Sequence, residues 1–169
     1  MISIKNLTLT LLIMGFGSSL SAQSDIVKRM IDKYPEAPSF YFYQSTLRAL
    51  NVENAKEFND IIKGIDKLSI VKIDKTSVQL QSSQLATLSQ SVVKEGYFEM
   101  MSIAGPDMNF AWYSNTEDNP DNLIALMESK DQLLVLKLDG KVDLAKIYSL
   151  KGTDLGALSE MLTQQGIFK

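Results

Sequence analysis

The chain has 169 residues, 17 basic against 20 acidic, and neither histidine nor cysteine. That count removes Ser-His-Asp and Cys-His catalysis, thiol redox chemistry, disulfide staples and the usual zinc and copper ligand sets. A mildly acidic chain without a basic run is also a poor nucleic-acid binder and has little attraction for anionic lipid, because neutralisation of phosphate by Lys and Arg supplies most of such affinity.

The first 22 residues read as a cleavable export signal. Lys5 provides the positive start, residues 7–16 (LTLTLLIMGF) form a short apolar core, and Gly15, Gly17, Ser18 and Ser19 then break the run. The expected cut follows Ala22. A cut after Ser21 is the alternative, because it places the small Ser19 rather than Leu20 three residues before the scissile bond. A membrane anchor fits less well: a spanning helix needs ~20 apolar residues, and the apolar run at residues 7–20 is shorter and interrupted. Removing the leader leaves residues 23–169, which are 147 residues with 16 basic and 20 acidic side chains. This is one domain on length, large enough to bury a core without staples.

Within the mature chain, residues 24–34 carry Ile26, Met30 and Ile31 at helical spacing, with Ser24 as the expected N-cap and Asp25 suited to the helix dipole. Pro35 and Pro38 end that helix. Residues 39–44 (SFYFYQ) read as a strand with Phe40 and Phe42 on one side and Tyr41 and Tyr43 on the other. A short helical turn over 46–50 follows. Asn51 then caps a helix whose stripe is Ala55, Phe58, Ile61, Ile62 and Ile65, closed by Gly64. Residues 68–74 (LSIVKID) are a strand, and Ser82 or Ser83 opens a helix carrying Leu85, Leu88 and Val92 that Gly96 closes.

The second half changes character. Residues 97–104, 108–114, 122–128 and 132–139 are four consecutive strands joined by a Gly105-Pro106-Asp107 turn, a polar loop (NTEDNPD) and a tight Ser129-Lys130-Asp131 link. Links this short require antiparallel neighbours. Asp143 caps a helix of Leu144, Ile147 and Leu150, and a last helix runs over residues 154–162. Helices early and a meander late predict an α+β fold: an antiparallel sheet with helices on one face.

Three blocks carry a family resemblance. Residues 133–150 (LLVLKLDGKVDLAKIYSL) run an apolar strand into a glycine turn and an Asp-Leu helix start, residues 58–74 (FNDIIKGIDKLSIVKID) form a helix-to-strand unit, and residues 26–50 form a helix, aromatic strand and short helix. Together they resemble the domain-of-unknown-function 4252 family. The resemblance implies a small exported protein of Bacteroidetes-type bacteria, in some cases encoded beside extracytoplasmic sigma-factor regulators, with no established activity and no site residues to carry over. Many members look like lipoproteins. This chain has no cysteine to acylate, so a periplasmic protein without an anchor is implied, with secretion from the cell the alternative.

No catalytic, cofactor or metal residues are assigned. Twenty acids leave a carboxylate glycosidase open, but nothing singles out a pair. The loop residues Asn115, Glu117, Asp118, Asn119, Asp121 and Asn122 offer the oxygens of a hard-cation site, yet Pro120 interrupts the EF-hand order, and a solvated hairpin loop is the better reading. Residues 137–141 (KLDGK) hold too few glycines for a phosphate loop and read as a strand end turning on Gly140. Met100, Met101 and Met108 read as packing residues. The candidate binding surface is aromatic, with Tyr41 and Tyr43 on one strand and Trp112 and Tyr113 on another, since Tyr and Trp offer rigid contact area with a polar tip. The expected function is a non-enzymatic interaction or signalling module that meets an envelope or inner-membrane regulatory protein. It predicts a tyrosine-rich sheet face or an open sheet edge. The alternatives are a carrier with an apolar cavity and a carboxylate hydrolase with one raised acid.

Overall fold

The computed structural model describes residues 25–49, 56–80, 83–118 and 120–143. The expected export signal, Ser24, Asn51, Ala55, Ser82 and the two expected C-terminal helices lie outside the described residues, as do the side chains of Phe58 and Ile61. Among the described residues, four helices and six strands follow one another as α1 (Ile26–Lys33), β1 (Ser39–Tyr43), α2 (Gln44–Ala49), α3 (Lys56–Ile62), β2 (Ile65–Asp74), α4 (Leu85–Lys94), β3 (Phe98–Ala104), β4 (Met108–Ser114), β5 (Asn122–Ser129) and β6 (Gln132–Gly140). Among them no helix is long and apolar enough to cross a membrane.

The strands form one antiparallel sheet in the order β1-β2-β6-β5-β4-β3. The meander β3 to β6 is the expected one. After β2 the chain passes through α4 to the far edge of the sheet and then returns strand by strand until β6 pairs with β2. The result is an α+β domain whose two edges are β1 and β3.

Side-chain parity divides the core into two layers. On one face, Val71 and Ile73 of β2, Leu133 and Val135 of β6, Ile124 and Leu126 of β5, and Ala111 and Tyr113 of β4 meet Ile26, Val27 and Met30 of α1 and Leu88 and Val92 of α4. Each such aliphatic side chain removed from water contributes roughly 1.5–3 kcal/mol. Helices α1 and α4 therefore cover this face, whereas α2 and α3 lie on the other, so the helices do not all gather on one face as expected. The opposite face carries a smaller layer, in which Leu47 of α2 and Ile62 of α3 cover Leu68 and Ile70 beside Phe40 and Phe42.

Local details refine the expected boundaries. The α1 cap is Asp25, whose Oδ1 accepts from the Val27 N–H at 3.0 Å. Ile65 belongs to β2 rather than to the preceding helix stripe, because the chain turns at residues 63–64 and pairs with β6 from Ile65 onward. Glycine is required at that crossing. Gly140 has φ +118, and a Cβ there would run into the Gly64 carbonyl and lie 2.7 Å from the Asp66 nitrogen. A Cβ on Gly64 would in turn strike the Lys141 carbonyl.

The start of α4 is fixed from across the sheet. Ser83 does not cap the helix locally. Instead the Glu128 carboxylate, 2% exposed, accepts from the Ser83 hydroxyl at 2.5 Å, the backbone N–H groups of Gln84 and Leu85 at 3.0 and 3.1 Å, and the Lys75 ammonium at 2.9 Å. A carboxylate at a helix N-terminus satisfies otherwise orphaned N–H groups and is favoured by the helix dipole. Burial pushes the Glu128 carboxyl up, but the bonds from Ser83, Gln84, Lys75 and Leu85 outweigh it and hold the group below the ordinary carboxylate range.

Candidate interaction surface

β1 pairs only with β2 among the described strands, so its outer row of backbone groups faces away from the sheet. Phe40 and Phe42 point into the smaller core layer. The alternation of the strand then turns Tyr41 and Tyr43 to the other face, where they are 43% and 56% exposed. The register places Tyr41 in one row with Ser69, Lys137, Ile124 and Tyr113, and Tyr43 in the next row with Lys67 and Asp139. Lys67 lies over the Tyr41 ring with its ammonium 4.7 Å from the ring centroid. Such a pair contributes about 0.5–1 kcal/mol at an exposed site and holds the ring's orientation.

Behind the tyrosines lies a charged seam. The Lys137 ammonium stands 2.9 Å from Asp139 and 3.5 Å from Asp25 at the head of α1. Burial alone would lower the lysine's pKa, yet Asp139 and Asp25 outweigh it and raise it. Arg29 and Glu95 pair at 2.5 Å where α1 meets the end of α4. Burial raises the Glu95 carboxyl, Arg29 opposes that rise, and Asp25 adds to it. Burial likewise raises Tyr97, beside Lys137. These groups fix α1 against the sheet and leave Tyr41, Tyr43 and Lys67 standing at its edge.

The other two candidate aromatics part company with this surface. Tyr113 is fully buried under α4, and its hydroxyl donates to Glu99 at 3.3 Å. It is therefore a core residue, which corrects the surface reading for that position. Trp112 is half-buried on the opposite face, edge-on to Phe110 with ring centroids 6.3 Å apart. Four strand spacings, about 19 Å, separate β4 from β1. The fold thus brings Tyr41 and Tyr43 together and sets Trp112 apart from them.

The far edge holds a feature the sequence reading missed. Phe98 and Ile103 of β3 and Met108 of β4 are each more than 40% exposed. Val93, Tyr97, Phe98, Glu99, Met100 and Glu117 line an open groove of about 520 Å³ beside this edge. The register shift between Glu99 and Met101 sets Met100 out of the pairing, so the strand does not show a clean alternation. The carrier reading calls for an enclosed apolar cavity, and this groove is open and bears two carboxylates. The hydrolase reading calls for a raised acid in a cleft. Glu95 is raised by burial, but it is tied to Arg29 and does not line the groove. In the polar loop, the Asn115 side-chain carbonyl accepts from the N–H groups of Asp121 and Asn122, both at 3.1 Å, which closes the hairpin. Among the described residues no group of three or more acidic side chains is placed to hold a metal ion.

A family model described as "Domain of unknown function (DUF4252)" matches residues 39–150. No curated protein and no solved structure matches the chain.

Proposed function

The chain belongs to the DUF4252 family, and from that premise we propose that it is an exported, non-enzymatic interaction module that binds an envelope protein along the β1 edge. The observation that carries this reading is a sheet edge, with no further strand against it among the described residues, that bears two exposed tyrosines, one of them held by Lys67. An open edge offers a partner strand a row of main-chain hydrogen bonds, and alternate side chains then set specificity. Tyrosine supplies rigid contact area there at low entropic cost. The absence of histidine and cysteine supports the choice of binding over catalysis. The leader-like residues 1–22 support export, with the periplasm as the working compartment and the regulatory proteins of the envelope as the partner class.

The test is crosslinked affinity capture of the tagged protein in its native envelope. One partner retained in near-stoichiometric yield is expected, lost in the Tyr41→Ala/Tyr43→Ala double variant and kept in Phe98→Ala/Ile103→Ala. Equal retention by both variants would refute the β1 assignment. The mass of the recovered chain reports the leader, since an N-terminus at Gln23 or Ala22 is expected and an intact Met1 would contradict export by cleavage.

A further inference from the structure

The far edge of the sheet carries an apolar surface of its own. β3 pairs only with β4 among the described strands, so its outer backbone groups face away from the sheet. Of the six large hydrophobic side chains that are exposed among the described residues, four lie on or beside this strand: Val93 near the end of α4, Phe98, Ile103 and Met108. The strand has neither the lysine nor the proline that commonly blunts an edge, and Glu99 is its one charge. Pairing puts Phe98 opposite Ser114, Met101 opposite Trp112 and Ile103 opposite Phe110, on the face away from α4, whereas Glu99 is opposite Tyr113 on the α4 face. Phe98 and Glu99 both line the groove, which therefore runs round the edge rather than lying on one face.

We propose that this edge binds an extended segment of a partner protein in which basic and apolar residues alternate, the segment adding to β3 as a further strand. Charge selects this partner. Glu99 and Glu117 line the groove with Val93, Tyr97, Phe98 and Met100, and no lysine or arginine is among these described lining residues. Lys94, beside Val93, does not line it. Neither carboxylate has a basic side chain within ion-pair distance among the described residues. The buried Tyr113 hydroxyl holds Glu99 from behind. A strand added in the plane of the sheet sends successive side chains to opposite faces. Its basic residues then meet the groove carboxylates on the α4 side, and its apolar residues meet Phe98 and Ile103 on the other. The seven residues of β3 span about 23 Å, which sets the length of the bound segment. A second copy of this chain fits less well, because it brings the same two carboxylates and its own β3 offers no cation to meet them. A single added strand buries less than a standard interface, so binding is weak and reversible, unlike that of the partner proposed for the β1 edge.

The probe is a fluorescein-labelled octapeptide of alternating lysine and valine, titrated with the full mature chain and followed by anisotropy. Saturable binding is expected, weakened by added salt and about fivefold weaker in Glu99→Gln/Glu117→Gln. The same octapeptide with glutamate in place of lysine should not bind. Phe98→Ala/Ile103→Ala should weaken the lysine–valine octapeptide and Tyr41→Ala/Tyr43→Ala should not. This is the reverse of the pattern expected for the β1 partner, so each edge can fail its test without the other. Hydrogen exchange needs no variant: the octapeptide should protect residues 98–104 and leave residues 39–43 unchanged. No saturable binding, protection at 39–43 instead, or equal affinity for the native and Glu99→Gln/Glu117→Gln chains would overturn the proposal. A native chain that sediments as a dimer and becomes monomeric in Phe98→Ala/Ile103→Ala would overturn it in favour of a second copy at this edge.

Discussion

Glu128 offers the sharpest test of how the two halves of the sequence are joined. It ties β5 to the start of α4 and to Lys75, contacts that span more than forty residues of chain. In Glu128→Ala the Lys75 ammonium, on a side chain only 11% exposed, loses its carboxylate and keeps only the Ser129 carbonyl, 3.3 Å away, among the partners described. Breaking a buried pair from one side costs about 3–5 kcal/mol, and the uncapped α4 N–H groups fall within that same loss rather than adding fully to it. Glu128→Gln keeps the volume and one acceptor oxygen but removes the charge. Hydrogen bonds to charged groups contribute about 1.5–3 kcal/mol each, so a loss of about 2–3 kcal/mol is expected. With a urea slope of about 2 kcal/mol/M, the midpoint for Glu128→Gln falls by about 1–1.5 M, read from Trp112 emission. The pH dependence has a definite sign. The folded carboxyl titrates below its ordinary value of 4.5, so its contribution is fully present above that value and is lost as the pH falls through the folded pKa. The gap between the native protein and Glu128→Gln should therefore be constant from pH 7 to about pH 5.5 and shrink in more acid solution. A gap below about 1 kcal/mol at pH 7, or one unchanged in strong acid, would refute this account of the anchor.

Gly140→Ala should destabilise by more than about 2 kcal/mol, since it combines backbone strain with a collision against the Gly64–Asp66 backbone. Gly96→Ala, at φ +89 but in open space, should lose only about 1 kcal/mol, and urea midpoints of the pair measure the difference. Tyr113→Ala should cost about 3–5 kcal/mol as a core deletion. Tyr43→Ala should stay within about 0.5 kcal/mol, and the contrast in thermal midpoint checks the correction made for Tyr113. Lys137→Met leaves Asp139 and Asp25 facing each other without their cation, so it should destabilise at neutral pH. Because the lysine's folded pKa is raised above 10.5, the difference from the native protein should disappear only at strongly alkaline pH.

Much of the sheet was legible because the meander is local. Ser39–Tyr43 alternates cleanly, Gly105-Pro106-Asp107 marks its turn, and β4 occupies the expected residues. What the sequence could not convey was pairing at a distance: nothing in LSIVKID says that it lies between β1 and β6. The start of β2 was misplaced because Ile65 continues the helical spacing of Ile61 and Ile62, while the true boundary is set by backbone packing against Gly140. Tyr113 was read as surface because Trp112 and Tyr113 are both amphipathic. Parity with Ala111 would have placed Tyr113 inward, but only once the covered face was known. The same parity puts Glu128 in line with Ile124 and Leu126, so an acid on the inward side of an apolar strand was a readable signal for a buried anchor. Its partners, Lys75 and the head of α4, were not readable, because only the tertiary fold brings them near.

The most direct test of the central claim is site-specific photocrosslinking in the native envelope, with p-benzoylphenylalanine placed in turn at Tyr43 and at Phe98. An interaction module working through the β1 edge gives one discrete adduct from position 43 and none of that mass from position 98. No adduct at position 43, or the same adduct from both edges, would contradict it.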